Sequence, residues 1–226
     1  MPHDPVWPTR DSSQCRALKY GVAMSAATAR AKVPTLLPKR EAILKAALVV
    51  FAEYGVNGVP VPEIAARAGV GTGTIYRFFA SKEELINEVF REQKRMLHRR
   101  LTDNLDLSLP PKALYQDHWR RLVSFAREEP DAFRFLELQD HVPYLDDESR
   151  ALQREVLGPI TARARALRRR GVYRKDLRVE VFMTLSWGAF VNLFKAERNG
   201  YLKVRPSDVT AACNACWRMC AATLEP

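Results

Sequence analysis

The chain is poor in the residues that most enzymes and secreted folds depend on. Only four cysteines occur in 226 residues, and three of them, Cys213, Cys216 and Cys220, sit at helical spacing, which is not a disulfide framework. There are four histidines, His3, His98, His118 and His141. No H-E-x-x-H pair, nucleophile elbow or cofactor fingerprint accompanies them, so no enzyme, cofactor or metal site is expected. Long apolar runs are missing too. The longest, VFMTLSWGAFVNLF at 181–194, is 14 residues including Asn192, short of the roughly 20 a membrane-crossing helix needs. The first residues contain Asp4 and Asp11 and no apolar h-region, so no secretory leader is expected and the cytoplasm is the expected compartment. No stretch alternates apolar and polar residues long enough for a useful strand, and the expected fold class is all-α.

Acidic residues are also in deficit, 26 against 36 Lys and Arg, for a net charge of +10 and a pI near 9.7. The excess is uneven. Residues 1–100 carry 16 basic against 9 acidic side chains and the remainder 20 against 17, which points to a polyanionic partner for the N-terminal half.

Residues 1–36 are rich in proline, arginine, serine and alanine without a hydrophobic period and read as a mobile basic arm. Its Arg10, Arg16, Lys19, Arg30 and Lys32 are equally readable as DNA contacts or as solvated charges. Met24 precedes Ser-Ala-Ala-Thr-Ala and is a candidate start of translation. A domain over 37–83 follows, and 84–226 form a connector helix with an all-helical remainder. From Lys39 the period is helical: Ile43, Ala46, Ala47, Val50, Phe51 and Tyr54 mark one face, and Gly55 stops it. Further helices are expected at about 61–68, 72–79, 82–104, 112–128, 130–141, 147–170, 177–199 and 207–223. Ser81-Lys82-Glu83-Glu84 has the form of a capping box opening the fourth.

Between the second and third helices lies GVGTGTIYRFFASK, 69–82. A dinucleotide loop needs a preceding strand and a third glycine, yet Thr74 or Tyr76 stands at that third position and PEIAARA before it reads as helix; no G-K-[S/T] ends the stretch as a P-loop requires. Two short helices joined by a glycine turn instead form a helix-turn-helix, whose second helix enters the major groove. Val70, Ile75 and Phe79 supply its packing side. Thr72, Gly73, Thr74, Tyr76, Arg77 and Phe78 are left facing outward or sideways.

KREAILKAALVVFAEYGVNGVPVPEIAARAGVGTGTIYRFFASKEELINEVF, with its AGV turn, T-I-Y, aromatic and S-K-E-E-L in order, resembles the DNA-binding part of the tetracycline-repressor-type (TetR) transcriptional regulators. The remainder resembles that family in its helical layout and in RRRGVYRKDL before a long apolar helix. The resemblance implies a three-helix DNA-binding domain, a connector helix and a C-terminal effector-binding and dimerisation domain, in a homodimeric regulator that binds a pseudo-palindromic double-stranded operator. It implies phosphate contacts by Tyr76 and Lys82, base-edge contacts by Thr72, Gly73 and Arg77, support from Thr74, and packing or a groove-wall contact from Phe78. Lys82 at a helix N-terminus suits an anion, and an arginine such as Arg77 can pair with guanine in bidentate fashion. Two positions depart from the family pattern. Pro60 stands where a Ser or Thr usually caps the second helix, and Gly71 where Ser is common, so both hydroxyl caps are lost.

The effector pocket is likewise implied by the resemblance, with Trp119, Leu122, Phe133, Phe135, His141, Tyr144 and Trp187 as lining candidates and an apolar or aromatic molecule as occupant. Any of them can equally be ordinary core. Glu137 with His141 at i, i+4 has metal-ligand spacing, although such a pair is more often a polar lining. The helix at 177–199 is apolar nearly all round, and the last helix has stripes of small residues, which points to a two-fold dimer built as a four-helix bundle. Phe182, Leu185, Phe190, Phe194, Val209, Cys213, Cys216 and Cys220 are the expected interface. The three cysteines are readable as a thiol sensor or, more simply, as small hydrophobes. A helical DNA-binding protein without a small-molecule effector, acting through protein partners, is the alternative reading.

Overall fold

A computed structural model describes residues 39–222, and the basic arm and Met24 lie outside them. Nine α-helices follow one another: α1 (Lys39–Tyr54), α2 (Val61–Ala68), α3 (Thr72–Phe78), α4 (Lys82–Thr102), α5 (Pro111–Glu128), α6 (Pro130–Leu138), α7 (Asp147–Arg169), α8 (Val179–Arg198) and α9 (Pro206–Cys220). A 3-10 turn, Val142–Tyr144, joins α6 to α7. Among the described residues the only extended pairing is an isolated bridge between Tyr173 and Ala221.

The first three helices enclose a wholly apolar centre of Ile43, Ala47, Val50, Phe51, Ile64, Ile75 and Phe79. Its turns follow from glycine chemistry. Gly69 ends α2 at φ 68°, a left-handed conformation that costs glycine little, and Val70 N–H then bonds Ala65 O at 3.0 Å, the pattern of a Schellman stop. Gly55 also ends α1 in the left-handed region, at φ 78°, with the simpler cap in which its N–H bonds Phe51 O at 2.9 Å.

Helix α4 leaves this domain and carries the chain into the larger half, where α5, α6, α8 and α9 close around Trp119, Leu122, Phe125, Phe133 and Phe190. A smaller cluster of Leu167, Tyr173, Val179, Phe182, Trp217 and Cys220 secures α7 to α8 and α9. Arg174 N–H to Cys220 O and Ala222 N–H to Val172 O, both 2.9 Å, close that end.

Two expectations about this half are corrected. The sixth helix stops at Leu138 rather than at residue 141. Gln139 turns back to donate from Nε2 to Ala52 O at 2.9 Å, and Pro143 cannot continue a helix. Glu137 and His141 therefore do not stand one turn apart on a helix. The second correction concerns the expected dimer contact. Phe182, Phe190, Phe194, Cys213, Cys216 and Cys220 are buried inside their own chain. Only Leu185, at 49% exposure, and the partly exposed Val209 remain available. On α8 the stripe of Phe182, Phe190 and Phe194 is covered by its own chain, through Tyr115 and Trp119 of α5 and Phe133 of α6, whereas Leu185 and Ala189 stay exposed.

Candidate nucleic-acid interface and effector domain

Helix α3 has seven residues and no side-chain cap at Gly71; α2 likewise starts at Pro60 without a side-chain cap. One first-turn donor of each is met by backbone: Thr74 N–H to Gly71 O at 2.8 Å and Glu63 N–H to Pro60 O at 3.1 Å. A helix this short is held by tertiary packing rather than by its own propensity, here by Ile75 and by Phe79 just beyond its end. Those anchors turn the remaining side chains outward. Tyr76 is 51% and Phe78 42% exposed, Arg77 and Gly73 are exposed, and Thr72, Thr74 and Lys82 are partly so. All seven residues singled out in the sequence are thus at least partly exposed. A Cβ at Gly73 would meet nothing within 4 Å, so packing does not require that glycine.

Lys82 opens α4 on a rigid mount. Ser81 Oγ accepts from Glu84 N–H at 3.1 Å, and Glu84 reaches past it to accept from Ala80 N–H at 2.5 Å, so the box closes one residue earlier than the motif suggests. The start of α1 is tied to the same corner. The Arg40 guanidinium lies 5.5 Å above the Phe79 ring and pairs with Glu88 on α4.

The seven effector candidates divide into two groups. Trp119, Phe133 and Trp187 surround Phe190, with ring centroids 5.9, 5.8 and 5.6 Å from it, and Leu122 is buried in the same core. Phe135, His141 and Tyr144 lie toward the first three helices instead. Phe135 stacks on Phe51 of α1 at 6.1 Å, and the Tyr144 hydroxyl donates to Asn57 Oδ1 in the loop before α2. None of the seven lines the open groove of about 400 Å³ between α4 and α7, which is walled by Arg95, His98, Arg99 and Glu148 with Leu152 and Val156.

Residues that pattern reading missed connect the halves. Asn87 donates to Tyr144 O at 2.8 Å and accepts from Asp146 N–H at 2.9 Å. Arg91, buried, donates to Asp146 Oδ2 at 2.8 Å and Ser149 Oγ at 3.2 Å and pairs with Glu88. Asp146 also caps α7 through Ser149 N–H at 2.8 Å. The available signal was the spacing of Asn87, Arg91 and Lys94 along one face of α4, which resembles a solvated stripe. All three are buried.

The cysteines behave as core. Burial pushes the thiols of Cys213 and Cys220 up to about 12 and raises that of Cys216, so the reactive thiolate is suppressed. Among the described residues no three His, Cys, Asp or Glu side chains converge as a metal set, and no helix is long and apolar enough to cross a membrane.

The sequence model for bacterial regulatory proteins of the tetR family matches residues 43–89, and that for the tetracyclin repressor-like C-terminal domain matches 90–222. The chain belongs to the TetR family. Curated relatives resemble it over about a third of the chain. An uncharacterized HTH-type transcriptional regulator of Bacillus subtilis, YhgD, is 34% identical over 74 residues, 33% of this chain and 39% of its own. The HTH-type transcriptional repressor KstR2 of Mycobacterium tuberculosis is 37% identical over 73 residues, 32% of this chain and 36% of that one. The matches thus span little more than a third of these relatives. Solved structures extend the likeness to the whole fold: a TetR-family protein from Vibrio parahaemolyticus has a TM-score of 0.66 at 26% identity, covering 81% of this chain and 99% of the other. FadR of Bacillus subtilis in complex with stearoyl-CoA has a TM-score of 0.59 at 21% identity, covering 79% and 96%, a likeness of fold alone.

Proposed function

We propose that this TetR-family chain is a homodimeric transcriptional repressor that binds a pseudo-palindromic operator and is released by a small apolar or aromatic effector, acting in the cytoplasm and without enzymatic activity. The observation that carries the reading is the exposed face of α3: Gly73, Tyr76, Arg77 and Phe78 project from a helix anchored from beneath by Ile75 and Phe79. Thr72 and Thr74 flank that face, and Lys82 stands at the next helix start, where exposed N–H groups and an ammonium favour a phosphate. The relatives' names, transcriptional regulator and repressor, support it.

The dimer contact follows from what α8 and α9 leave outside. Val181, Leu185 and Ala189 on α8 and Ala211 and Ala215 on α9 are exposed. Small side chains at four-residue spacing let helices approach closely in a four-helix bundle. Two-fold pairing there sets two recognition helices about one DNA turn, ~34 Å, apart. The bonds from Gln139, Tyr144 and Asn87 give an effector-induced shift of α6 a route to the DNA-binding domain. Linkage then requires operator and effector to weaken each other by the same factor.

In vitro selection of random duplexes at about 0.15 M salt, where phosphate attraction is weakened, tests the reading. A recovered palindrome that Tyr76→Ala weakens across all sequences and Arg77→Ala relaxes at one position is expected. Recovery of no sequence above background sinks it. A specific operator that no small molecule releases leaves the effector-free alternative.

A further inference from the structure

Asn87, Arg91 and Lys94 lie along the buried face of α4, but only the first two are satisfied. Lys94 is 8% exposed, and among the described residues it makes no hydrogen bond and no ion pair within 4.0 Å. Its ammonium sits 5.8 Å from the centre of the Phe90 ring. The one carboxylate acting on it is Glu137 of α6, whose Oε2 is already engaged, accepting from Trp187 Nε1 of α8 at 2.9 Å. An ammonium buried without a close partner is costly, and burial accordingly pulls the Lys94 pKa down. Beside it His141 is wedged between Phe90 and Phe135, 5.2 and 5.1 Å between centroids, and its Nδ1 is buried without a well-formed hydrogen bond, the backbone of Gln139 and Phe135 only weakly favouring its charged form. Lys94 and His141 are close enough for the lysine's charge to disfavour the imidazolium, after burial the largest cause of its depressed pKa.

Three elements thus bring together an unpaired cation, an unpaired ring nitrogen and a wall of aromatic side chains. A neutral apolar molecule would leave both polar groups unpaired, whereas a carboxylate can accept from the Lys94 ammonium and from an Nδ1–H tautomer of His141 while its body packs on the rings. Glu137 suits such an exchange. Burial pushes its acid up to about 6, so protonation releases its hold on Lys94 at little cost.

We propose that Lys94 and His141 form the polar end of the effector site and that the effector is a small organic anion, a carboxylate on an apolar or aromatic body. The inference rests on the effector-controlled reading above and narrows it to one ligand class. A site built around a buried charge discriminates strongly against analogues that cannot pair with it.

The test uses the full chain and matched pairs of probes: 4-phenylbutyrate with 4-phenylbutanol, octanoate with octanol, and 1-naphthoate with 1-naphthylmethanol. Binding is read by tryptophan fluorescence, since Trp187 bonds directly to Glu137, and operator release is read in parallel. At least one acid is expected to bind about tenfold or more tightly than its alcohol. Lys94→Met is expected to reduce that acid to the level of the alcohol while leaving operator affinity unchanged. Without any probe, Lys94→Met should melt at the wild-type temperature or above it, because a charge with no partner is removed. Alcohols that bind as well as acids overturn the proposal, as does silence of the whole panel. A melting temperature lowered by more than ~5 °C in both Lys94→Met and Lys94→Gln also overturns it, by assigning the lysine to the fold. Operator binding separates the two readings. A bound operator with a silent panel removes only the anion assignment, whereas loss of operator binding with acid binding intact removes the regulator reading and retains the lysine.

Discussion

The two halves of the molecule are stabilised differently. In residues 39–86 the buried side chains are all apolar, whereas among the described residues every buried polar or charged side chain, Asn87, Arg91, Gln93, Lys94, Asp117, His141 and Ser149, comes from residue 87 onward. An apolar core is insensitive to pH and salt and holds one geometry. A core containing polar groups depends on each of them finding its partner, and its geometry changes when a partner is lost or supplied. The half that carries α3 is thus built as a fixed platform, and the other half as the part whose geometry depends on its polar partners.

The largest expected effect that sharpens this contrast is at Arg91. Arg91→Ala removes the buried guanidinium that Asp146, Ser149 and Glu88 bond to, leaves carboxylates that water partly reaches, and should cost about 2–3 kcal/mol, the upper range for hydrogen bonds to a charged group, read as a lower urea midpoint. A loss below about 1 kcal/mol would mean the pair is effectively solvated and the contrast overstated. A smaller effect is expected from acid. Burial lowers the His118 pKa to about 4 against roughly 6.5 unfolded. Between pH 6.5 and 4 the unfolded chain therefore takes up a proton that the folded one refuses, and stability falls as pH falls through that window, by on the order of 2 kcal/mol. Urea titrations at pH 7.5 and 4.5 should show a smaller fall for His118→Gln than for the wild type; equal falls would place the sensitivity elsewhere. The smallest change in stability is expected on the platform. Gly73→Ala should stabilise α3 by up to about 1 kcal/mol, since alanine favours helix and open space surrounds the position, yet weaken operator binding if the flat spot on the helix meets DNA. Unchanged binding would remove Gly73 from the contact surface.

The same contrast explains what could be read from the chain beforehand. In the platform, apolar period, Gly55, Gly69 and Ser81 each carry a local rule with one outcome, and α1, α2 and α4 begin or end where those rules place them. Helix α3 ends one residue short of the expected 79 because Phe79 leaves the helix to be buried beneath it. In the other half the helices were legible but their partners were not. A stripe such as Phe182, Phe190 and Phe194 shows that a face is covered without showing whether its own chain or another covers it. Asn87, Arg91 and Lys94 carry the spacing of a solvated face, and only the approach of residues 141–149 from elsewhere in the chain makes that face an interior.

The bond from Gln139 Nε2 to Ala52 O has a consequence for how such proteins are assembled from parts. The last turn of α1 has its carbonyl satisfied by a residue of the other half, and the Gln139 amide oxygen comes within 3.1 Å of where a Cβ at Gly55 would lie. The three-helix N-terminal unit is therefore not a portable cassette. A chimera joined within α4 inherits an α1 end whose complement was left behind, so a graft that keeps Gln139, Tyr144 and Asp146 together with residues 39–87 transfers an intact seam, whereas a cut by sequence boundary alone transfers half of one.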